Sequence, residues 1–170
     1  MNSTGMKKGL VLVVIMLVLL VLQTTAYEGI KINNTVPDLL FVFSVYFACK
    51  EKNLRNVLIV AFILGIFSDF LCHSSFSGYT AVYTYSAALG YYLNNMFLKE
   101  NIFFQTVLAF LLFLAGKTAI YVVYGGIFKI SFASFFAKDV IPTSVYNMAW
   151  FFLVMLISLL IKRKRGNLNE

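Results

Sequence analysis

Few residues in this 170-residue chain have side chains suited to catalysis, and most stand alone. His73 is the single histidine, and no second histidine, cysteine pair or carboxylate cluster lies at ligand spacing from it. A metal centre needs three or four such ligands on one face, so the sequence offers none. No nucleophile-elbow pattern accompanies His73 either, which reads as a loop residue. Cys49 and Cys72 are the only cysteines and fall at opposite ends of adjacent apolar runs, too far apart for a disulfide. They read as two small hydrophobes. Two charges remain, Asp69 and Lys117, each set within an apolar run, with Asp38 at the mouth of another. Buried charges of this kind act in pairs, in relays or as assembly pins.

The elements that must position them follow from composition. The chain is 61% hydrophobic and 12% charged, with a mean hydropathy of +0.85. A soluble domain of this size carries about twice that share of charge. Spanning a bilayer takes about 20 residues per helix, so six spans and their loops use up the chain. The expected fold is an all-α polytopic membrane protein, one integral membrane domain over 1–170, with six transmembrane helices at about 8–26, 36–49, 56–72, 79–98, 102–124 and 141–161. Lys7-Lys8 before an apolar run and small residues before Tyr27 also fit a cleaved signal peptide. Gln23-Thr24, which extends the helix, favours retention of residues 1–26.

Pro37-Asp38 is expected to open span 2, proline taking the first turn of the helix, where its missing N–H is not needed. The stretch 125–139 is the longest expected connection. Phe128, Phe132, Phe135 and Phe136 share a helical face there and suggest a short interfacial helix, with a re-entrant segment as the alternative. Lys50, Lys52 and Arg55 fill the second connection, and Lys162-Arg163-Lys164-Arg165 follow span 6. With both termini in the cytoplasm, ten of the fourteen Lys and Arg lie inside and three outside, Lys117 being within the membrane. That bias satisfies the positive-inside rule.

Spans 3 and 5 then run in the same direction. At 1.5 Å per residue, Asp69 and Lys117 both lie roughly 20 Å from the inner surface. Equal depth and opposite sign make them a candidate intramembrane pair, with Asp38 as the alternative partner. The competing reading has Lys117 snorkelling to the headgroups and Asp69 at the aqueous rim. Gly65, Ala87-Ala88 with Gly90, and Ala115-Gly116 are small enough for close helix contact. The tyrosines of span 4 (Tyr79, Tyr83, Tyr85, Tyr91, Tyr92) suit packing, an interfacial belt or a cavity lining.

The order of short motifs adds a resemblance. Val36-Pro37-Asp38-Leu39-Leu40, Tyr46 before a basic loop, Gly65 and Asp69 as G-x-x-x-D, and the Ser75-Phe76-Ser77-Gly78 turn together resemble the rod shape-determining MreD family. Length, span count and the basic tail agree, so the resemblance covers nearly the whole chain, although spans 5 and 6 match only in length and hydropathy. It implies a non-enzymatic, cofactor-free scaffold of the bacterial elongation machinery in the cytoplasmic (inner) membrane. Such a protein would bind the single-span protein MreC and act indirectly with MreB, RodA and a class B penicillin-binding transpeptidase in lateral peptidoglycan synthesis. Pro37, Asp38, Tyr46, Gly65, Asp69 and Gly78 would form its motif and coupling region.

The resemblance also implies kinship with the six-helix S components of energy-coupling-factor transporters. A vitamin-binding subunit of that kind is the rival reading. Span 1 counts against it, because Leu-Val-Leu-Val-Val-Ile-Met-Leu-Val-Leu-Leu lacks the small-x-x-x-small pattern those subunits carry. An intramembrane enzyme would need a convergent set of acids and bases beyond Asp69 and Lys117.

Overall fold

A computed structural model describes residues 3–25, 35–72, 78–97, 101–128 and 131–166. It is almost entirely helical and has no strand among those residues. The helices are α1 (Ser3–Thr25), α2 (Leu39–Lys50), α3 (Leu54–Leu71), α4 (Gly78–Phe97), α5 (Ile102–Phe128), α6 (Phe132–Phe135) and α7 (Ile141–Gly166). Segments 54–71, 102–122 and 132–161 are long and apolar enough to cross a bilayer, while the apolar parts of α1 and α2 are shorter. His73 and most of the first and third connections lie outside the described residues.

The short helix is the central one. α2 packs against α1, α3, α4, α5 and α7. Eight of its twelve residues are buried, which explains an apolar sequence without a polar face. A helix enclosed by others has no need to match the bilayer thickness. The non-helical backbone of residues 35–38 above it is tolerated at this depth because Thr35, Pro37 and Asp38 are themselves buried. Proline therefore does not occupy the first turn, as expected above. It precedes Asp38, the N-cap, whose carboxylate accepts from the Phe41 N–H at 3.1 Å and fixes the start of the helix one residue later. Asn53 caps α3 likewise, its side chain accepting from the Arg55 N–H at 3.0 Å.

An aromatic column crosses the bundle. Phe41 of α2 stacks on Tyr83 of α4 with centroids 4.7 Å apart and meets Phe113 of α5 edge-on at 5.2 Å. Phe113 in turn meets Phe151 of α7 at 6.3 Å. All four rings are fully buried. Gly116 lets the column close, since a Cβ there would stand 2.7 Å from Phe41 Cζ.

At the end of the bundle away from Asp38, Gln105 Nε2 donates to Asn94 Oδ1 at 2.7 Å, and Asn94 Nδ2 donates to the Cys49 carbonyl at 3.0 Å. These bonds hold α5 and α4 to the C-terminal end of α2. Cys49 is buried there, whereas Cys72, just past the end of α3, is exposed, and both are free thiols.

The connection expected over 125–139 is mostly helix. α5 continues to Phe128, and α6 passes through a π-helical turn (Phe136–Val140) straight into α7. In that turn the Ile141 N–H reaches back five residues to the Phe136 carbonyl. Pro142 has no N–H to offer the preceding turn, so a local π register absorbs the proline without ending the helix. A short helix does lie in this stretch, α6 (Phe132–Phe135), and it runs on into α7 through the π turn. Phe132 and Phe135 pack on Tyr121 of α5 at 5.3 and 4.8 Å between centroids.

Candidate functional site

Residues 37–39 are the point where the rods are tied together. Gln23, near the end of α1, donates from Nε2 to the Pro37 carbonyl at 3.1 Å and accepts from the Leu39 N–H on Oε1 at 2.9 Å. Asn147 of α7 accepts the Asp38 N–H on Oδ1 at 2.7 Å. Tyr83 of α4 donates its hydroxyl to Asp38 Oδ1, and Ser68 of α3 lies 2.8 Å from the Tyr83 oxygen. Because the tyrosine proton goes to Asp38, Ser68 is the donor in that contact. The result is a relay, Ser68 to Tyr83 to Asp38, inside the bundle. Each bond has a charged or fully desolvated partner, the setting in which hydrogen bonds matter most.

The second acid is also a pin. Asp69 Oδ1 accepts from the Tyr79 N–H and Oδ2 from the Thr80 N–H, each at 3.0 Å, and Oδ2 also accepts from the Thr80 hydroxyl. A carboxylate on free N–H groups at a helix start meets the positive end of the helix dipole. The G-x-x-x-D spacing follows from this geometry. Gly65 lies one turn before Asp69 on the same face, and a Cβ on it would stand 2.4 Å from Thr80 Cα. The glycine lets the first turn of α4 touch the α3 backbone, and the aspartate then caps what has been brought close. Gly78 is the first residue of α4. α3 and α4 accordingly form the most extensive contact in the molecule.

Pro37, Asp38, Gly65, Asp69 and Gly78 thus gather at one end of the bundle. Tyr46 does not join them. It sits two turns along α2 and donates to Ser158 Oγ of α7 at 3.0 Å. Lys117 lies toward the same end of the bundle as Asp38, lining with it a cavity of about 400 Å³ together with Asp139, Ser68, Tyr79 and Thr143. Asp69 faces the start of α4.

Gln23, Ser68, Thr80, Asn147 and Ser158 were not singled out from the sequence as site residues, and Tyr83 only as one of the span 4 tyrosines. Uncharged polar side chains inside apolar helices were the available signal, because such groups rarely stay unpartnered in a bilayer. The tyrosines of span 4 divide in the structure. Tyr83 is fully buried in the relay, Tyr85 and Tyr92 are exposed, and Tyr91 donates its hydroxyl to the Lys52 carbonyl at 2.8 Å.

A helical bundle with bilayer-length apolar rods, pinned by the buried Asp38 and the half-buried Asp69, defines an integral membrane protein. The family model of the rod shape-determining protein MreD matches residues 5–164. The chain belongs to the MreD family, and its role is that of a rod shape-determining membrane protein. No curated protein and no solved structure matches it.

Proposed function

We propose that the protein is a non-enzymatic scaffold of the bacterial elongation machinery, seated in the cytoplasmic membrane with both termini inside. It binds the membrane segment of an MreC-like single-span partner and thereby helps organise lateral peptidoglycan synthesis with MreB, RodA and a class B penicillin-binding transpeptidase. The observation that carries this reading is the use made of two acids at the motif end, one buried and one half-buried. Asp38 and Asp69 are spent on backbone N–H groups and on hydroxyls from neighbouring helices, an arrangement suited to fixing helix positions. α1, α3 and α5 meanwhile carry large apolar side chains outward, among them Leu17, Phe62 and Leu111, surfaces that suit other membrane helices as well as lipid.

The motif end, around Pro37, Asp38, Gly65, Asp69 and Gly78, is the proposed coupling region. A scaffold changes its partner only by binding one state of that partner better than another. The fixed helix positions here supply a surface able to discriminate. The test is depletion combined with affinity capture. Rod cells are expected to round up, and the tagged chain is expected to retain an MreC-like single-span protein. Normal shape with loss of uptake of a vitamin overturns the reading in favour of a transporter subunit.

A further inference from the structure

Beyond the scaffold role, we propose that the cavity under Asp38 is a binding site for a small zwitterion carrying a primary ammonium and a phosphate, the chemistry of a phosphoethanolamine group. The cavity holds about 400 Å³ and lies at the end of the bundle where α1 and α3 finish and α4 and α7 begin. The basic tail of residues 162–165 follows at the far end of α7, about 30 Å or more along the helix, so the cavity faces away from it.

Three charges line this space: Lys117 from α5, Asp38 at the start of α2 and Asp139 from the π turn. They are close enough to share a cavity, yet among the described residues no ion pair joins Lys117 to either carboxylate. Asp38 Oδ1 is occupied by Tyr83 and the Phe41 N–H. The only hydrogen bond shown at Asp139 is a long one, 3.3 Å, from its neighbour Thr143. An opposite-charge set held apart across a cavity in an apolar bundle is poorly neutralised by itself, because unpaired charges in low dielectric are costly. A single cation would share the cavity with the like charge of Lys117, and a single anion would face two carboxylates. A zwitterion satisfies both signs: its phosphate takes Lys117, and its ammonium takes Asp139 and the free side of Asp38.

Phosphoethanolamine chemistry reaches such a site either as the headgroup of phosphatidylethanolamine or as a free molecule. The experiment uses the purified full-length chain in detergent, with binding followed by native mass spectrometry and by thermal unfolding. The probes are dioleoyl-phosphatidylethanolamine, dioleoyl-phosphatidylglycerol and O-phosphoethanolamine. Phosphatidylethanolamine is expected to bind about tenfold tighter than phosphatidylglycerol, the gain of one charge-assisted ammonium contact. Asp139→Asn and Lys117→Gln are each expected to remove that preference, Lys117→Arg to keep it, and Lys52→Gln, at the other end of the bundle, to leave it unchanged. If O-phosphoethanolamine also binds and stabilises, the site takes the free zwitterion. If only the lipid does, the headgroup is its source. Equal binding of the two lipids, or a preference that survives Asp139→Asn, overturns the proposal, and so does a cavity that only water occupies, seen as no response to any probe. Asp139 is partly exposed and outside the helix pins, so its variant stays informative if Lys117→Gln fails to fold. Failure here leaves the scaffold reading standing, since that reading is tested by cell shape and partner capture.

Discussion

At the scale of the residue, Gly65 and Asp69 act as one device. The glycine removes a Cβ that would collide with Thr80 Cα, and the aspartate fills the hydrogen-bonding demand of the helix start thus brought near. Overpacking of a tight contact costs about 1–3 kcal/mol, so Gly65→Ala is expected to lower the unfolding temperature of the purified protein in detergent. An unchanged transition would show that the two backbones have slack. Asp69→Ala leaves two N–H groups and a hydroxyl without their acceptor, a loss of about 1–3 kcal/mol by the scale of unpaired buried donors. Asp69→Asn keeps one carbonyl oxygen and is expected to fall between wild type and alanine. A series in which Asn is the worse of the two contradicts the capping role. The G-x-x-x-D spacing was legible in the sequence as a motif. Its reason was not, because the atoms that reject a side chain at 65 belong to residue 80 on another helix.

At the scale of the element, α1 is the loosest rod and α2 the most enclosed. Along α1, Leu10, Val11, Val13 and Val14 are exposed, while Met16 is buried. Its clearest polar tie to the bundle is the two-sided bond of Gln23 to residues 37 and 39. Gln23→Leu is expected to leave the Pro37 carbonyl and Leu39 N–H unpaired, costing about 1–3 kcal/mol locally. The readout is hydrogen exchange: the Leu39 amide should exchange faster, while amides in the middle of α3 keep their protection. Equal acceleration everywhere would mean that Gln23 supports global stability and not the docking of α1. The sequence indicated that Gln23 extends the first helix. It gave no hint of the target, since a glutamine in an apolar helix has the same local pattern whether it meets backbone, lipid headgroup or a partner. The expected connection over 125–139 failed for a related reason. Gly125-Gly126, Lys138-Asp139 and Pro142 are loop-forming residues by local preference, but packing of Phe132 and Phe135 on Tyr121 and a π turn before the proline outweigh that preference.

At the scale of the whole molecule, the distribution of charge is the strongest guide. Lys50, Lys52, Arg55 and the basic tail belong to one end of the bundle, and the hub around Asp38 belongs to the other. A reporter fused after residue 170 is therefore expected to be active only in the cytoplasm, and cysteines placed near Lys52 are expected to resist labelling by impermeant reagents in intact cells. Extracellular labelling at either place would reverse the orientation and, with it, the side from which the cavity opens. Enclosure of α2 by five other helices also predicts a hierarchy of unfolding, in which α1 opens before the α2–α3–α4 unit.

The sequence by itself determined that this chain is an apolar helical membrane protein and to which family of motifs it belongs. Those properties follow from hydrophobicity, span length and charge bias, which are sums over local residues. Tertiary structure decided what the motif residues do. Asp38 became a hub because Gln23, Tyr83 and Asn147, from about fifteen to over a hundred residues away in the chain, converge on its carboxylate and the backbone of residues 37–39, and Asp69 became a cap because the α3 backbone makes room for α4. Hydrogen-bond partners are chosen by which surfaces meet in space, and composition along a single strand of sequence does not carry that choice.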